Sequence, residues 1–299
     1  MLARSYVSVK THLQIFLRYG MLKEKNEAFF MDLPIYLSTG TFTGRVNGRD
    51  PLLLFEAAKS FTADGFELMI FDEFYKLLPD MALRYRDAGI QIPVLHADKA
   101  VGDHMSLPEG EADALRLFEK NLEIASLVGA RRLVTHCWGM PPSDQYTDQI
   151  YRRVGLLKKA AEERGMTLLC ENCVCANHSP LFHVKNLLSL YPDLLFTVDT
   201  RCSEFHAELK ATMEDASIWK SVAHLHINDY KGGYKDWAAR YPIPQPPEGQ
   251  IDWPFFFSSL KKLGYRGSVT LEAPAMLEKG LNVAVLQKGL DFIKNGLEQ

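Results

Sequence analysis

The sequence lacks the features that mark membrane-spanning and nucleic-acid-binding proteins. No run of 18 or more apolar residues occurs in its 299 residues, so no segment is apolar enough to span a membrane. Neither sign of charge is in large excess, since 37 Asp and Glu face 34 Lys and Arg. Proteins that bind nucleic acid electrostatically normally carry a basic excess. We therefore expect that the chain has no membrane partner and that a nucleic acid is an unfavoured partner.

Cysteine is scarce, and its number is odd. Five cysteines in a long chain without a secretory signal indicate reduced thiols and predict a cytoplasmic location. Cys173 and Cys175 form a Cys-x-Cys pair, but no second pair follows at zinc-finger spacing. The sequence therefore does not favour a structural zinc site.

Acidic residues are absent from positions 1–23, which contain four basic residues. That composition is typical of a transit peptide. We favour two other interpretations, because the strand pattern starts only near residue 33. The segment is either an added N-terminal helix or the product of an upstream start codon, with Met21 or Met31 as the customary beginning. We predict an N-terminal extension over residues 1–32 and one domain over residues 33–299.

From residue 33 onwards, short apolar runs alternate with stretches of helical periodicity. The eight runs lie at residues 33–37, 66–70, 92–95, 132–135, 167–170, 195–198, 222–227 and 268–271. Four glycines fall between a helix and the next run, where a left-handed C-cap is expected: Gly89, Gly129, Gly165 and Gly264. Eight strands joined by right-handed helical crossovers close into a single (β/α)8 TIM barrel. The alternative, a doubly wound open sheet, lacks its Gly-x-Gly-x-x-Gly signature after the first strand.

The ends of the predicted strands are rich in groups that bind metals or transfer protons. In such a barrel the functional residues lie at the C-terminal ends of the strands. The third to eighth strands end in His96, His136, Glu171, Asp199, His226 and Glu272. One polar ending would mean little because loops are polar, but six in succession indicate a site.

Alternation along the last four strands predicts which way these residues point. Alternate residues of a strand share a face, and apolar residues occupy the opposite parity, so the four ends point into the barrel: Glu171, Asp199, His226 and Glu272. The alternative is four unrelated polar ends, each paired locally. Three converging carboxylates would raise one another's pKa values, and no Lys or Arg ends a strand to neutralise them. A divalent cation is the simplest partner; the oxygen-rich set favours Mn²⁺, Mg²⁺ or Co²⁺, with Zn²⁺ as an alternative.

The strings around these residues resemble those of the xylose-isomerase-like barrels. They are Leu-Leu-Cys-Glu171-Asn172, Thr-Val-Asp199-Thr200, His224-Leu-His226-Ile-Asn-Asp229 and Thr-Leu-Glu272. Gly249-Gln-Ile-Asp252-Trp253 is similar to the segment that opens the last-but-one helix of that family. The superfamily includes sugar and sugar-phosphate isomerases and epimerases, inosose dehydratases and metal-dependent AP endonucleases.

This resemblance implies a function and a set of roles. Glu171, Asp199, His226 and Glu272 would bind one divalent metal ion, and Glu171 and Glu272 would be the catalytic pair. One glutamate takes a proton from a carbon beside a carbonyl and the other returns it, while the metal stabilises the enediolate. The implied activity is isomerisation or epimerisation of a sugar, sugar phosphate or related polyol. Dehydration of a keto-inositol (inosose) and phosphodiester cleavage at abasic DNA stay open as alternative activities. Assembly of the chain into a homo-oligomer also stays open.

The sequence departs from the family pattern after the sixth strand. Where many members have Asp-x-x-His, this chain has Cys202 in place of the histidine, and His206 is expected on the next helix. His96 and His136 match positions that the endonucleases use for a second metal; binding of substrate hydroxyls and hydrogen bonding at the barrel rim are the alternatives. The loop over residues 230–250 contains no histidine, which counts against an endonuclease.

Five residues are candidates for binding the carbohydrate substrate: His96, His136, Trp138, Arg201 and Lys231. Trp138 could stack on a sugar face or serve only in packing. Arg201 and Lys231 could hold a carboxylate or phosphate, or could be solvated loop charges. Glu67 is expected to hydrogen-bond a ligand or a neighbouring strand, and Asn172 to orient a ligand carboxylate.

Overall fold

The computed structural model describes residues 31–299, which form a closed barrel of eight parallel strands with helices around it. The strands are β1 Ile35–Ser38, β2 Gly65–Met69, β3 Val94–His96, β4 Arg132–His136, β5 Thr167–Glu171, β6 Leu195–Asp199, β7 Val222–Ile227 and β8 Ser268–Leu271. They follow one another in chain order, and β8 closes the barrel by pairing with β1. The predicted (β/α)8 barrel is confirmed, and each of the eight apolar runs contributes a strand.

Helices fill the connections between the strands. Within residues 31–299 they are α1 Leu53–Ser60, α2 Leu78–Asp87, α3 Lys99–Met105, α4 Glu111–Val128, α5 Thr147–Glu163, α6 Pro180–Leu190, α7 Thr200–Phe205, α8 Leu209–Glu214, α9 Ala216–Trp219, α10 Trp253–Leu263 and α11 Val283–Glu298. Short 3-10 helices lie at Thr39–Thr41, Arg45–Asn47, Asp72–Lys76 and Ala238–Arg240. In this described part no helix is both long and apolar enough to cross a membrane.

The helix ends follow the signals in the sequence. All four glycines predicted at C-caps have positive φ angles, between 63° and 82°. Asp252 caps α10, where its side chain accepts a hydrogen bond from the Phe255 backbone N–H. This is the helix that the Gly-x-Ile-Asp-Trp segment was predicted to open.

The barrel interior changes from apolar to polar along the strands. Tyr36, Val94, Val134 and Leu169 form an apolar cluster inside the barrel. In three of these strands the next inward-facing residue, two positions later, is a predicted site residue: His96, His136 or Glu171. The apolar cluster thus closes the barrel beneath a polar mouth, while the outward faces of the strands pack against the helices.

The predicted N-terminal extension lies outside the described residues except for its last two positions. Met31 is buried in the main hydrophobic core, so the packed part of the chain includes at least this residue of the extension. All five cysteines are buried and free of disulfides, as the sequence predicted.

Candidate active site

A cavity of about 460 Å³ opens at the C-terminal ends of the strands. Five residues predicted from the sequence line it: His136, Trp138, Glu171, Arg201 and Glu272. Three others, His96, Asp199 and His226, are fully buried and lie among the carboxylates at its base. Lys231 is exposed and does not line this cavity, so the structure does not bring it to the other candidates.

The four predicted metal ligands converge at the base of the cavity. One donor atom from each of Glu171, Asp199, His226 and Glu272 lies within 4.8 Å of the others. Glu171 and Asp199 are the last residues of β5 and β6, His226 pairs with Asp199 across β6 and β7, and Glu272 follows β8 directly. Strand parity therefore brings together residues that are up to about 100 positions apart in the sequence, 171 to 272.

The two ring nitrogens of His226 face different carboxylates. Nε2 lies 3.0 Å from Oε1 of Glu67, whereas Nδ1 lies 3.3 Å from Oε2 of Glu272 and 3.5 Å from Oε1 of Glu171. Nδ1 is buried without a hydrogen-bond partner. When Nε2–H donates to Glu67, the Nδ1 lone pair points at two carboxylates, an arrangement that calls for a cation between them.

The charges around His226 support the same conclusion. Burial opposes the charged ring, but the carboxylates of Glu272 and Glu67 raise the pKa of His226 well above its ordinary value. The carboxylates around His226 therefore favour a positive charge at this point, and a divalent ion would supply it. The donor set fits a divalent metal.

Glu67 lies next to the candidate metal ligands, and the sequence indicated its place only in part. It was expected to bond a ligand or a neighbouring strand, and it contacts three side chains of β7 and β8. Oε2 of Glu67 lies 2.7 Å from Nε2 of His224 and accepts a hydrogen bond from the Thr270 hydroxyl at 3.0 Å. Burial would raise the pKa of Glu67, but His226 and His224 hold it well below the ordinary value. The signal in the sequence was a carboxylate on the inward parity of an otherwise apolar strand.

Two histidines hold the other side of Glu171. Oε2 of Glu171 lies 3.2 Å from Nε2 of His96 and 2.9 Å from Nε2 of His136. Nδ1–H of His96 donates to the Ala97 carbonyl at 2.9 Å, so Nε2 donates to Glu171 only when the ring is protonated. Burial opposes that protonation, while the charge of Glu171 raises the pKa of His96. The three residues also form a second group with donor atoms within 4.8 Å of one another.

Asp199 is held by amide donors. Oδ1 accepts a hydrogen bond from the Cys202 backbone N–H at 2.6 Å, and Oδ2 accepts one from Nδ2 of Asn228 at 2.7 Å. Asn172 accepts a hydrogen bond from the Asp199 backbone N–H at 2.6 Å, so it orients the strand end and does not touch the carboxylate.

The expected upward shift of the carboxylate pKa values occurs at one of the three acids. Burial and the charges of Glu171 and Glu272 raise the pKa of Asp199 to about 6. Burial would also raise the other two, but imidazoles reverse the effect: His136 and its neighbours lower the pKa of Glu171 well below the ordinary value, and His226 lowers that of Glu272. Histidines therefore neutralise charge where no Lys or Arg ends a strand.

The sequence singled out two residues after β6, Cys202 and His206. The Cys202 side chain is buried at the cavity wall. His206 is the C-cap residue directly after α7, and its Nε2 accepts a hydrogen bond from the Cys175 backbone N–H at 3.1 Å. It does not line the cavity. The indole N–H of Trp138 donates to the Val174 carbonyl at 2.8 Å, and its ring lines the cavity.

Comparison with known proteins identifies the fold and the family of the chain. No curated protein sequence matches the chain significantly. Similar solved structures include a 3-keto-D-glucoside 4-epimerase from E. coli (19% identity, TM-score 0.65, covering 88% of this chain and 99% of that one). An L-ribulose 3-epimerase has 15% identity and a TM-score of 0.67 over 89% of this chain and 95% of that one.

A third similar structure is a D-allulose 3-epimerase from Methylomonas sp. in complex with D-allulose, with 16% identity and a TM-score of 0.68. The alignment covers 88% of this chain and 96% of that one. At such identities these structures show the fold. The family model described as xylose isomerase-like TIM barrel matches residues 55–296, and the chain belongs to that family.

Proposed function

We propose that the chain is an isomerase or epimerase that moves a proton on a carbohydrate with the help of one divalent metal ion. The observation that carries the proposal is the placement of two glutamates, Glu171 and Glu272, at the base of one cavity around a metal-binding donor set. The three similar structures named above are epimerases of a keto-glucoside and of ketoses by their names, which supports a carbohydrate as the substrate.

The metal would be held by Glu171, Asp199, His226 and Glu272. Three carboxylates and one imidazole suit Mn²⁺, Mg²⁺ or Co²⁺, and Zn²⁺ also accepts such ligands. When bound, such an ion supplies Lewis acidity toward the carbonyl oxygen of a substrate. The Glu67 contact keeps Nδ1 of His226 directed at this point.

The two glutamates can reach a substrate from different sides. Glu171 ends β5 and Glu272 follows β8, three strands further around the barrel, and both line the cavity. For epimerisation, one carboxylate takes the proton from the carbon beside the carbonyl, and the other glutamate, in its acid form, gives a proton to the opposite face of that carbon. For isomerisation, the proton returns to the neighbouring carbon while a second proton moves between the two oxygens.

Exchange of solvent deuterium into a panel of ketoses tests this proposal. With Mn²⁺ present, at least one ketose should gain deuterium beside its carbonyl, and a chelator should stop the exchange. Glu171→Gln and Glu272→Gln should each slow exchange by about 10²–10⁴-fold. Glu278→Gln, which changes an exposed glutamate in the loop after β8, is the matched control.

Metal ligation and proton transfer fall on the same residues, so the metal content of each variant must be measured with its exchange rate. A Glu272→Gln protein that keeps its metal and exchanges at the wild-type rate would remove Glu272 from the mechanism. Absence of exchange with every ketose, metal bound, would remove the proposed activity. Dehydration of a keto-inositol starts with the same proton abstraction and is recognised by loss of water from the product.

One observation favours a second candidate, a metal-dependent phosphodiesterase acting on abasic DNA. His96, His136 and Glu171 form a second cluster that could hold another ion. Against it stand the balanced charge of the chain and the absence of histidine from residues 230–250. Nicking of an abasic duplex that a chelator abolishes would favour the phosphodiesterase.

A further inference from the structure

The cavity above the two glutamates is lined by several cationic side chains. They are Arg45, Arg49, Lys99, Arg201 and Arg240. Three of the five are engaged elsewhere or face solvent. Arg49 forms ion pairs with Asp72 and Glu73. Arg45 and Lys99 are exposed. Arg201 and Arg240 remain as partly buried cations without an ion pair to any residue of 31–299.

Arg201 has buried donors that no group within residues 31–299 uses. It is the second residue of α7, and its Nε and Nη1 atoms are shielded from solvent without a hydrogen-bond partner. A guanidinium group stays charged in proteins and offers five N–H donors in a fixed plane. Because a buried charge is costly unless it is paired, these free donors indicate an anionic partner outside the described part of the chain.

The nearby carboxylates do not take this role. Asp199 and Glu272 interact electrostatically with Arg201, but neither forms an ion pair with it. Asp199 accepts its hydrogen bonds from Cys202 and Asn228, and Glu272 faces His226 and Asn228. The donors of Arg201 therefore remain available to a ligand in the cavity.

Arg240 provides a second, pre-positioned cation. Its guanidinium carbon lies 5.3 Å from the centre of the Trp237 ring and 5.6 Å from that of Tyr241, and its Nε is buried without a partner. Stacking on aromatic rings holds the guanidinium plane and leaves its edge free for an anion. Arg201, Arg240 and Tyr241 all line the same cavity.

We propose that the substrate carries an anionic group, a phosphate or a carboxylate, which Arg201 binds together with Arg240 while Glu171 and Glu272 act on its carbonyl end. Guanidinium groups bind both anions through paired N–H···O bonds. This inference rests on the proposed function for the identity of the reacting end, and on the two arginines alone for the anion. An anionic substrate would distinguish this chain from enzymes that act on neutral sugars.

Two measurements test the inference. The first compares kcat/KM for deuterium exchange among a neutral ketose, the same ketose with a terminal phosphate and the same ketose with a terminal carboxylate. The second measures the binding of inorganic phosphate by calorimetry, which needs no turnover. Both use wild-type protein, Arg201→Met, Arg201→Lys and the control Arg116→Met, which removes an exposed arginine from α4.

We expect one of the anionic ketoses to be preferred over the neutral one by about 10²-fold, and which one identifies the anion. Arg201→Met should reduce kcat/KM for that ketose about 10²-fold more than for the neutral ketose, and should weaken phosphate binding at least about tenfold. Arg201→Lys should recover part of both, since it keeps the charge but loses the planar fork. Arg116→Met should match wild type.

Failure of this inference differs from failure of the proposed function. Equal use of neutral and anionic ketoses, with phosphate affinity unchanged in Arg201→Met, would overturn the anion site and leave the isomerase or epimerase activity standing. Phosphate binding that is lost in Arg201→Met, without exchange in any ketose, would keep the anion site and overturn the proposed activity.

Discussion

Nε2 of His226 lies 3.0 Å from Oε1 of Glu67, although 159 residues separate the two along the chain. The contact fixes the ring so that Nδ1 faces Glu171 and Glu272. A carboxylate that accepts a hydrogen bond from the distal nitrogen of a metal-binding histidine fixes its tautomer and increases its basicity. In the proposed metal site, Glu67 would therefore support metal binding by orienting His226.

Glu67→Gln should weaken metal binding while leaving the four ligands in place. We expect the affinity for Mn²⁺ to fall by about 10–100-fold, because the amide can also donate to Nε2 and so favours the wrong tautomer. Calorimetric titration of Mn²⁺ into metal-free protein measures the effect. Glu56→Gln, an exposed glutamate on α1, provides the same change in charge away from the site.

Glu67 is buried, so a folding defect must be separated from the loss of metal affinity. Thr270→Val removes only the hydroxyl that donates to Oε2 of Glu67 at 3.0 Å and keeps the shape of the side chain. It should lower the Mn²⁺ affinity in the same direction and by less. A folded Glu67→Gln protein with wild-type Mn²⁺ affinity would show that this contact serves stability alone.

His96 and His136 should differ in their kinetic effects although both contact Glu171. His136 lines the cavity, whereas His96 is fully buried and, among residues 31–299, hydrogen-bonds Glu171 and the Ala97 carbonyl. We therefore expect His136→Asn mainly to raise KM, and His96→Asn mainly to lower kcat by allowing Glu171 to move. Steady-state kinetics on the best ketose decide between them. A lower kcat with unchanged KM in His136→Asn would contradict this division.

The barrel and the convergence of its strand ends were predictable because both follow from short-range patterns. The apolar runs located all eight strands. Strand parity indicated that the side chains of Glu171, Asp199 and His226 face the barrel interior. Closure of a parallel barrel then determines that these positions meet at one end. Few additional assumptions about the strand order were needed, since neighbouring strands of the barrel follow one another along the chain.

Contacts made by long loops were not predictable in the same way. Lys231 follows β7 in a stretch without regular alternation, so nothing in the sequence determines whether its side chain turns toward the mouth, and it is exposed. Asp144 lies in the loop after β4, and apart from its neighbour Ser143 its hydrogen-bond partners are 32 to 39 residues further along the chain. Only the packing of two loops against each other brings these groups together.

Cys202→Ser should have a mild effect on activity. The backbone N–H of Cys202, which the substitution keeps, makes the contact with Asp199, while the buried thiol sits at the cavity wall. We expect kcat/KM to change by less than about tenfold and the free energy of unfolding to fall by about 1 kcal/mol, the usual range for a conservative buried change. Exchange kinetics and thermal unfolding measure both quantities. A severe loss of activity with the metal retained would make Cys202 a substrate-contacting group.

Asp144 joins the loops that follow β4 and β5. Its buried carboxylate accepts hydrogen bonds from the backbone N–H groups of Asn177 and His178 at 2.9 and 2.8 Å, and it lies 2.9 to 3.0 Å from ring nitrogens of His178 and His183. The His183 ring packs against Trp138, whose ring lines the cavity, with 4.4 Å between centroids. Asp144 thus supports one wall of the cavity through His183.

Burial would raise the pKa of Asp144, but hydrogen bonds from His183, Asn177 and His178 hold it far below the ordinary value. Its folded-state pKa is therefore below its unfolded-state value near 4, so its contribution to stability is complete above about pH 4 and is lost as the pH falls further. Asp144→Asn should lower the free energy of unfolding by about 3 kcal/mol at pH 7, because it leaves buried donors without their charged acceptor. The difference in free energy of unfolding between wild type and Asp144→Asn should shrink below about pH 4, where the wild-type carboxylate begins to stabilise the folded state less. Urea unfolding at several pH values measures this, with the exposed Asp87→Asn as control; a stability difference that stays constant down to pH 2 would refute the charged role of Asp144.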